Sequence, residues 1–130
     1  MPLEYTVDHE RKRLFVTGSD PLTLPDVFAF FDGRVHDGTW QYDTVEDLRA
    51  LSWVPSTSDI RRVLQHIGTL RRSHGRRGTV AFVIAPNTAL YGMFRMYSIL
   101  AETSESHVTP QVFQTVEDAV QWLDAQESSG

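Results

Sequence analysis

The stretch "TVAFVIAP", Thr79 to Pro86, constrains this chain more than any other. A nearly continuous run of β-branched and aromatic side chains offers no polar face to water. It therefore predicts a strand buried on both sides, as in a parallel sheet covered by helices. Parallel neighbours need crossover connections, and helical patterns flank the run. Before it, Ile60, Val63, Leu64, Ile67 and Leu70 recur at the spacing of one α-helical face, which ends near "SHGRRG". After it, "NTALYGMFRMYSILAE" predicts a helix capped by Asn87 or Thr88 and running to about Ser104.

The pattern extends outward from that centre. "LEYTVD" and "RLFVTG" alternate in polarity around "HERK", which predicts an opening hairpin. "SDPLTLPDVFAFF" predicts a first helix to about Phe31 or Val35, with Thr23 as cap, Pro25 in the first turn, Asp26 at the positive dipole end and Gly33 as the break. "TVEDLRAL" reads as a third strand carrying unusual acids at Glu46 and Asp47. "HVTPQVFQ" reads as a last strand kept to an edge by Pro110. "TVEDAVQWLDAQ" follows as a helix opened by Thr115 and Asp118, and residues 127–130, "ESSG", as a frayed tail. The order ββαβαβαβα predicts a single α/β domain over residues 1–130, with a mixed, mainly parallel sheet covered by helices.

A chain of 130 residues with 41% hydrophobic content suffices for one such core. No run of about 18 apolar residues appears, so no integral membrane segment is expected, and the polar, charged start predicts a cytoplasmic protein. Cysteine is absent, which excludes disulfides and thiolate chemistry. The net charge is −5, but between Ile60 and Ala101 seven arginines stand without one acid. Opposed charged faces follow from that segregation. Specific nucleic-acid binding is not expected, because neither an overall basic balance nor aromatics interleaved with the arginines is present.

Catalytic patterns are not found. His36, His66 and His74 lack metal-type pairing, the glycines of "SHGRRGTV" precede a strand rather than joining one to a helix, and Glu46 and Asp47 as strand neighbours point to opposite faces. The expectation is a non-enzymatic protein without metal or cofactor.

The hairpin, "LTLPDVFAFF", "VEDLR", "TVAFVIAP" and "QVFQTVEDAVQWL", taken in order, resemble the SpoIIAA-like group of STAS domains, small bacterial α/β modules related to anti-sigma factor antagonists. The resemblance implies a regulatory or ligand-responsive role. In sporulation-type members it also implies a phosphorylated hydroxyl at the start of the helix after the third strand. Their loop reads roughly Asp-Ser-Ser-Gly, and here Pro55, Ser56, Thr57 and Ser58 stand in its place, with Thr57 nearest the phosphoacceptor. Pro55 replaces the acid and Ser58 the glycine. Hydroxyls ahead of a helix are equally the ordinary N-cap.

Further candidates lie on the helices and loops. Arg61, Arg62 and Arg72 lie off the apolar stripe, as a solvated face or as contacts for an anionic partner; Arg71, Arg76 and Arg77 extend this cationic cluster to the following turn. In the next helix, Leu90, Met93, Phe94, Tyr97, Leu100 and Ala101 complete a core stripe. Gly92, Met96 and Ile99 then form a surplus apolar sector, suited to a homodimer or a regulatory protein partner. Asp47, Arg49, Thr57 and Asn87 would be the polar members of a pocket if the loops carrying them flank a switch point, and Trp40, Trp53 and Phe30 could edge it. Two functions result: a regulatory or protein-interaction module, and alternatively a small apolar-ligand or lipid-binding module related in architecture to Sec14-type carriers. The lipid carrier requires an enclosed apolar cavity of at least about 300 Å³.

Overall fold

In the computed structural model, which describes residues 2–86, 88–102 and 111–129, β1 (Leu3–Asp8) and β2 (Arg13–Gly18) pair antiparallel. The turn between them closes through the Asp8 carboxylate, which accepts from the Arg11 N–H at 3.0 Å. Next come α1 (Leu24–His36), β3 (Asp43–Asp47), α2 (Thr57–His74), β4 (Val80–Val83), α3 (Ala89–Glu102), β5 (Gln111–Phe113) and α4 (Val116–Ser129). Among the described residues the sheet has five strands in the spatial order β1-β2-β3-β4-β5, and every pairing after the hairpin is parallel.

Because the strands follow one another in space without reversal, no topological switch point forms. Side-chain alternation assigns the two faces of the sheet. Leu14 and Val16 of β2 and Val80 and Phe82 of β4 face the layer of α1, α2 and α3. Phe15, Val45, Ala81 and Val83 face α4, where they meet Ala119 and Leu123. β4 is thus covered on both sides and all its residues are buried, the environment its composition requires.

Helix ends follow local chemistry. Thr23 and Asp26 form a reciprocal capping box on α1, as do Ser56 and Asp59 on α2. Thr88 caps α3 by accepting from the Tyr91 N–H at 3.1 Å, and Thr115 accepts from the Asp118 N–H at 3.1 Å ahead of α4. In three places the sequence expectation shifts. Gly33 does not break α1, which runs on to His36 and ends where Gly38 takes a φ of +76°. β3 stops at Asp47 instead of continuing through Leu51, because the Asp47 carboxylate turns back to accept from the Arg49 N–H at 3.2 Å. α4 extends to Ser129, so the helix reaches into the segment read as a tail. Asn87, Pro110 and Gly130 lie outside the described residues, as does the side chain of Ala101.

Candidate functional site

Within β3, Thr44 and Glu46 point toward the three-helix layer while Val45 and Asp47 point toward α4. That places one of the two unusual acids inside the core. Glu46 meets two arginines there, Arg34 from α1 and Arg77 from the segment before β4; their exposures are 6%, 0% and 4%. Charged groups are almost never so buried without a purpose for the charge.

Arg34 holds the backbone. Its Nη2 donates to the carbonyl oxygens of Thr39 at 2.9 Å, Trp40 at 3.1 Å and Tyr42 at 2.9 Å, which fixes the strap leading from α1 into β3. Burial, reinforced by repulsion from Arg77, lowers its pKa to about 10. Arg77 is engaged differently. Its guanidinium carbon lies 5.4 Å from the centroid of the Phe31 ring and its Nη2 meets the Tyr97 hydroxyl at 3.2 Å. In both arginines the buried Nε and Nη1 have no hydrogen-bond partner among the described residues. Glu46 accepts from the Thr44 hydroxyl at 3.5 Å and makes no ion pair with either arginine. Burial pushes the Glu46 carboxyl above its usual range, against the pull of Arg77 and Arg34, and burial likewise raises the Tyr97 phenol.

Glu46, Arg77 and Tyr97 border an apolar cavity of about 80 Å³ between the sheet and the three helices, which Arg34 does not line. Phe30 and Phe31 wall it from α1, Ile60 and Val63 from α2, and Leu90 and Phe94 from α3. Phe82 closes it from the sheet, and Trp53 and Pro55 contribute from the loop ahead of α2. Glu46, Arg77 and Tyr97 supply the polar side chains of an otherwise hydrocarbon lining. Such an arrangement can bury a small apolar body, and it disfavours the ionised form of Glu46. Among the described residues no serine, threonine or histidine side chain lines the cavity. Among the described residues no group of three or more histidine, aspartate or glutamate side chains gathers as a metal site.

The predicted polar pocket is not assembled. Asp47 and Arg49 do meet, through Oδ1 to Nε at 2.9 Å and Oδ2 to Nη2 at 2.8 Å, and the Arg49 guanidinium holds the Asp47 carboxyl below its usual range. This pair belongs to the α4 side of the sheet, where Glu117 also acts on Arg49. Thr57 opens α2 on the other side, and its hydroxyl points to the Met96 sulfur at 3.4 Å. Ser56 is occupied as the cap of α2, and Ser58 is exposed. Of the aromatic candidates, Phe30 and Trp53 line the cavity, whereas Trp40 is buried elsewhere and donates its indole N–H to the Gly75 carbonyl at 2.8 Å.

The surface candidates keep their exposure. Arg61, Arg62 and Arg72 are exposed, and Arg72 donates to the Thr69 hydroxyl at 3.3 Å. Arg77 departs from that cationic cluster into the core. Gly92 is exposed with open space around it, and Met96 and Ile99 are 36% and 65% exposed. None of the helices among the described residues is long and apolar enough to cross a membrane.

Arg34, Arg77 and Tyr97 were not distinguishable as site residues by motif. Two signals pointed to them: an acid in a strand of a helix-covered sheet, and arginines set against apolar runs in "VFAFFDGRV" and "RGTVAFVIAP". No family model matches the chain, and neither a curated protein nor a solved structure matches it.

Proposed function

We propose that this protein is a non-enzymatic, ligand-responsive regulatory module that takes a small, largely apolar molecule between its sheet and its three-helix layer. The observation that carries this reading is the apolar cavity between the sheet and α1, α2 and α3, bordered by three buried polar residues, Glu46, Arg77 and Tyr97. Filling an apolar void restores dispersion contacts that its lining otherwise lacks. The SpoIIAA-like resemblance of the strand and helix order agrees with a regulatory role. A cavity of about 80 Å³ falls short of the roughly 300 Å³ that a lipid carrier needs, so the reading is confined to small ligands. Native mass spectrometry of protein purified from its own host tests it. A retained mass that disappears on denaturation is expected; a bare chain that also shows no thermal shift with any small apolar acid, amide or alcohol contradicts it.

A second reading is favoured by the 65% exposure of Ile99 beside Met96 and Gly92. This sector of α3, adjoining Thr57 through the Met96 contact, serves as an interface with a second copy or a regulatory partner. Ile99→Glu then converts a dimer to a monomer in sedimentation analysis. An unchanged sedimenting mass removes this reading.

A further inference from the structure

Resting on the ligand-binding reading above, we infer that the cavity prefers neutral hydrocarbons of roughly three or four carbons to molecules of the same shape that carry a polar group. Three polar residues border the cavity, yet little of their polar surface reaches it. Glu46 accepts from the Thr44 hydroxyl at 3.5 Å within its own strand, and the Arg77 Nη2 donates to the Tyr97 hydroxyl at 3.2 Å. The Arg77 Nε and Nη1 are sealed in the packed wall, so they offer a ligand nothing to bind. What faces the space is almost wholly hydrocarbon, contributed by Phe30 and Phe31 from α1, Ile60 from α2, Leu90 and Phe94 from α3, and Phe82 from β4. Protein interiors leave few voids larger than a water molecule, which sets this one apart from ordinary packing.

Size and polarity then set the occupant. A water molecule settles in a cavity only where several polar partners hold it, and this wall is poor in them. A carbonyl, an amide or a carboxylate would likewise be buried without a hydrogen bond, a cost that an apolar group of the same shape does not meet. Burial already disfavours the charge of Glu46, and it acts on a bound acid in the same direction. A hydrocarbon has no such cost, and it gains dispersion contacts with three helices and the sheet at once. An engineered apolar cavity of about 150 Å³ takes benzene, so about 80 Å³ admits roughly three or four carbons. Isobutene is a probe of that size, and acetone, acetamide and acetate share its planar, branched shape while differing in polarity and charge.

The test titrates the full chain with isobutene, acetone, acetamide and sodium acetate in turn at constant ionic strength, observing methyl resonances of Ile60, Val63, Leu90 and Met93 by NMR. Isobutene is expected to shift these pocket methyls, with acetone at least about tenfold weaker and the amide and the acid weaker still. Benzene, titrated separately, is expected to bind more weakly than isobutene because it needs a larger space. Val63→Phe, whose ring occupies the cavity, is expected to abolish the isobutene shifts. Should Val63→Phe not fold, the wild-type methyl map still decides the location. Binding of acetone, acetamide or acetate as tight as that of isobutene overturns the hydrocarbon preference and leaves the ligand-binding reading standing. Benzene binding as tightly as isobutene overturns the size assignment in the same way. No pocket shift from any probe, or isobutene shifts that persist unchanged in folded Val63→Phe, overturns both.

Discussion

Gly78→Ala gives the sharpest test of the buried arrangement around Arg77. A Cβ at Gly78 would lie 2.2 Å from the Tyr42 carbonyl oxygen, 2.4 Å from its carbon and 2.7 Å from the Gln41 oxygen, all backbone atoms. Ordinary contact starts at 3.4 Å, so the two segments must separate by about 1.2 Å. They cannot do so cheaply. Arg34 donates to the Thr39, Trp40 and Tyr42 carbonyls, and the Gly78 N–H itself reaches the Trp40 oxygen at 3.4 Å. Overpacking costs about 1–3 kcal/mol, and losing one hydrogen bond from an ionised donor costs about 1.5–3 kcal/mol more, together roughly 3–6 kcal/mol. Against a typical domain stability of about 5–15 kcal/mol this is a large loss. With a urea slope of about 2 kcal/mol per M, the midpoint should fall by roughly 1.5–3 M. Urea unfolding followed by tryptophan fluorescence reads it well, since Trp40 is buried in the displaced strap. Gly92→Ala is the internal control. Nothing lies within 4 Å of its new Cβ, so replacing a helical glycine should gain about 0.5–1 kcal/mol. A loss below about 1 kcal/mol for Gly78→Ala would refute the close backbone approach, because overpacking alone exceeds it. A loss for Gly92→Ala would refute the open surface on α3.

Glu46→Gln should flatten the pH dependence of stability. The folded carboxyl is raised above its ordinary 4.5, so the wild type is unpenalised below that pH and loses stability as pH rises toward the folded value. Chemical denaturation of both proteins at mildly acidic and mildly alkaline pH checks this, and parallel pH slopes would contradict it. Ser56→Ala should cost about 1 kcal/mol by removing the acceptor for the Asp59 N–H, which Ser56 Oγ meets at 3.0 Å. Thr57→Ala should change stability by less than about 0.5 kcal/mol, as an exposed residue whose hydroxyl meets a weak thioether acceptor. Thermal denaturation compares the two, and a larger loss at Thr57 would reverse the assignment of the cap. Incubation with host lysate and ATP, read by intact mass, then asks whether Thr57 is modified; a gain in wild type absent from Thr57→Ala is expected of a sporulation-type switch.

What could be read from the chain alone was whatever depends on local spacing. The apolar run at β4 demands cover on both faces, the stripe from Ile60 to Leu70 demands a helix, and Thr23 with Asp26 announces the start of α1. From these follow the mixed α/β character, the largely parallel sheet and the four helices among the described residues. Polar sites were less legible. Asp47, Arg49 and Thr57 are close in sequence, yet alternation along β3 sends Asp47 toward α4 while α2 begins on the opposite side. Sequence proximity is blind to that change of face.

The buried charges show the same limit from the other direction. Arg34, Glu46, Arg77 and Tyr97 come from α1, β3, the turn before β4 and α3, and no local rule links positions so far apart. The sequence by itself determined which segments are strands and helices, since hydrophobic period and capping act over a few residues. Tertiary structure alone decided that Arg77 turns inward to Tyr97 while Arg61 and Arg62 remain in water. Burial is a property of the packed layers, and an arginine carries the same charge in either place until the sheet and helices close over it.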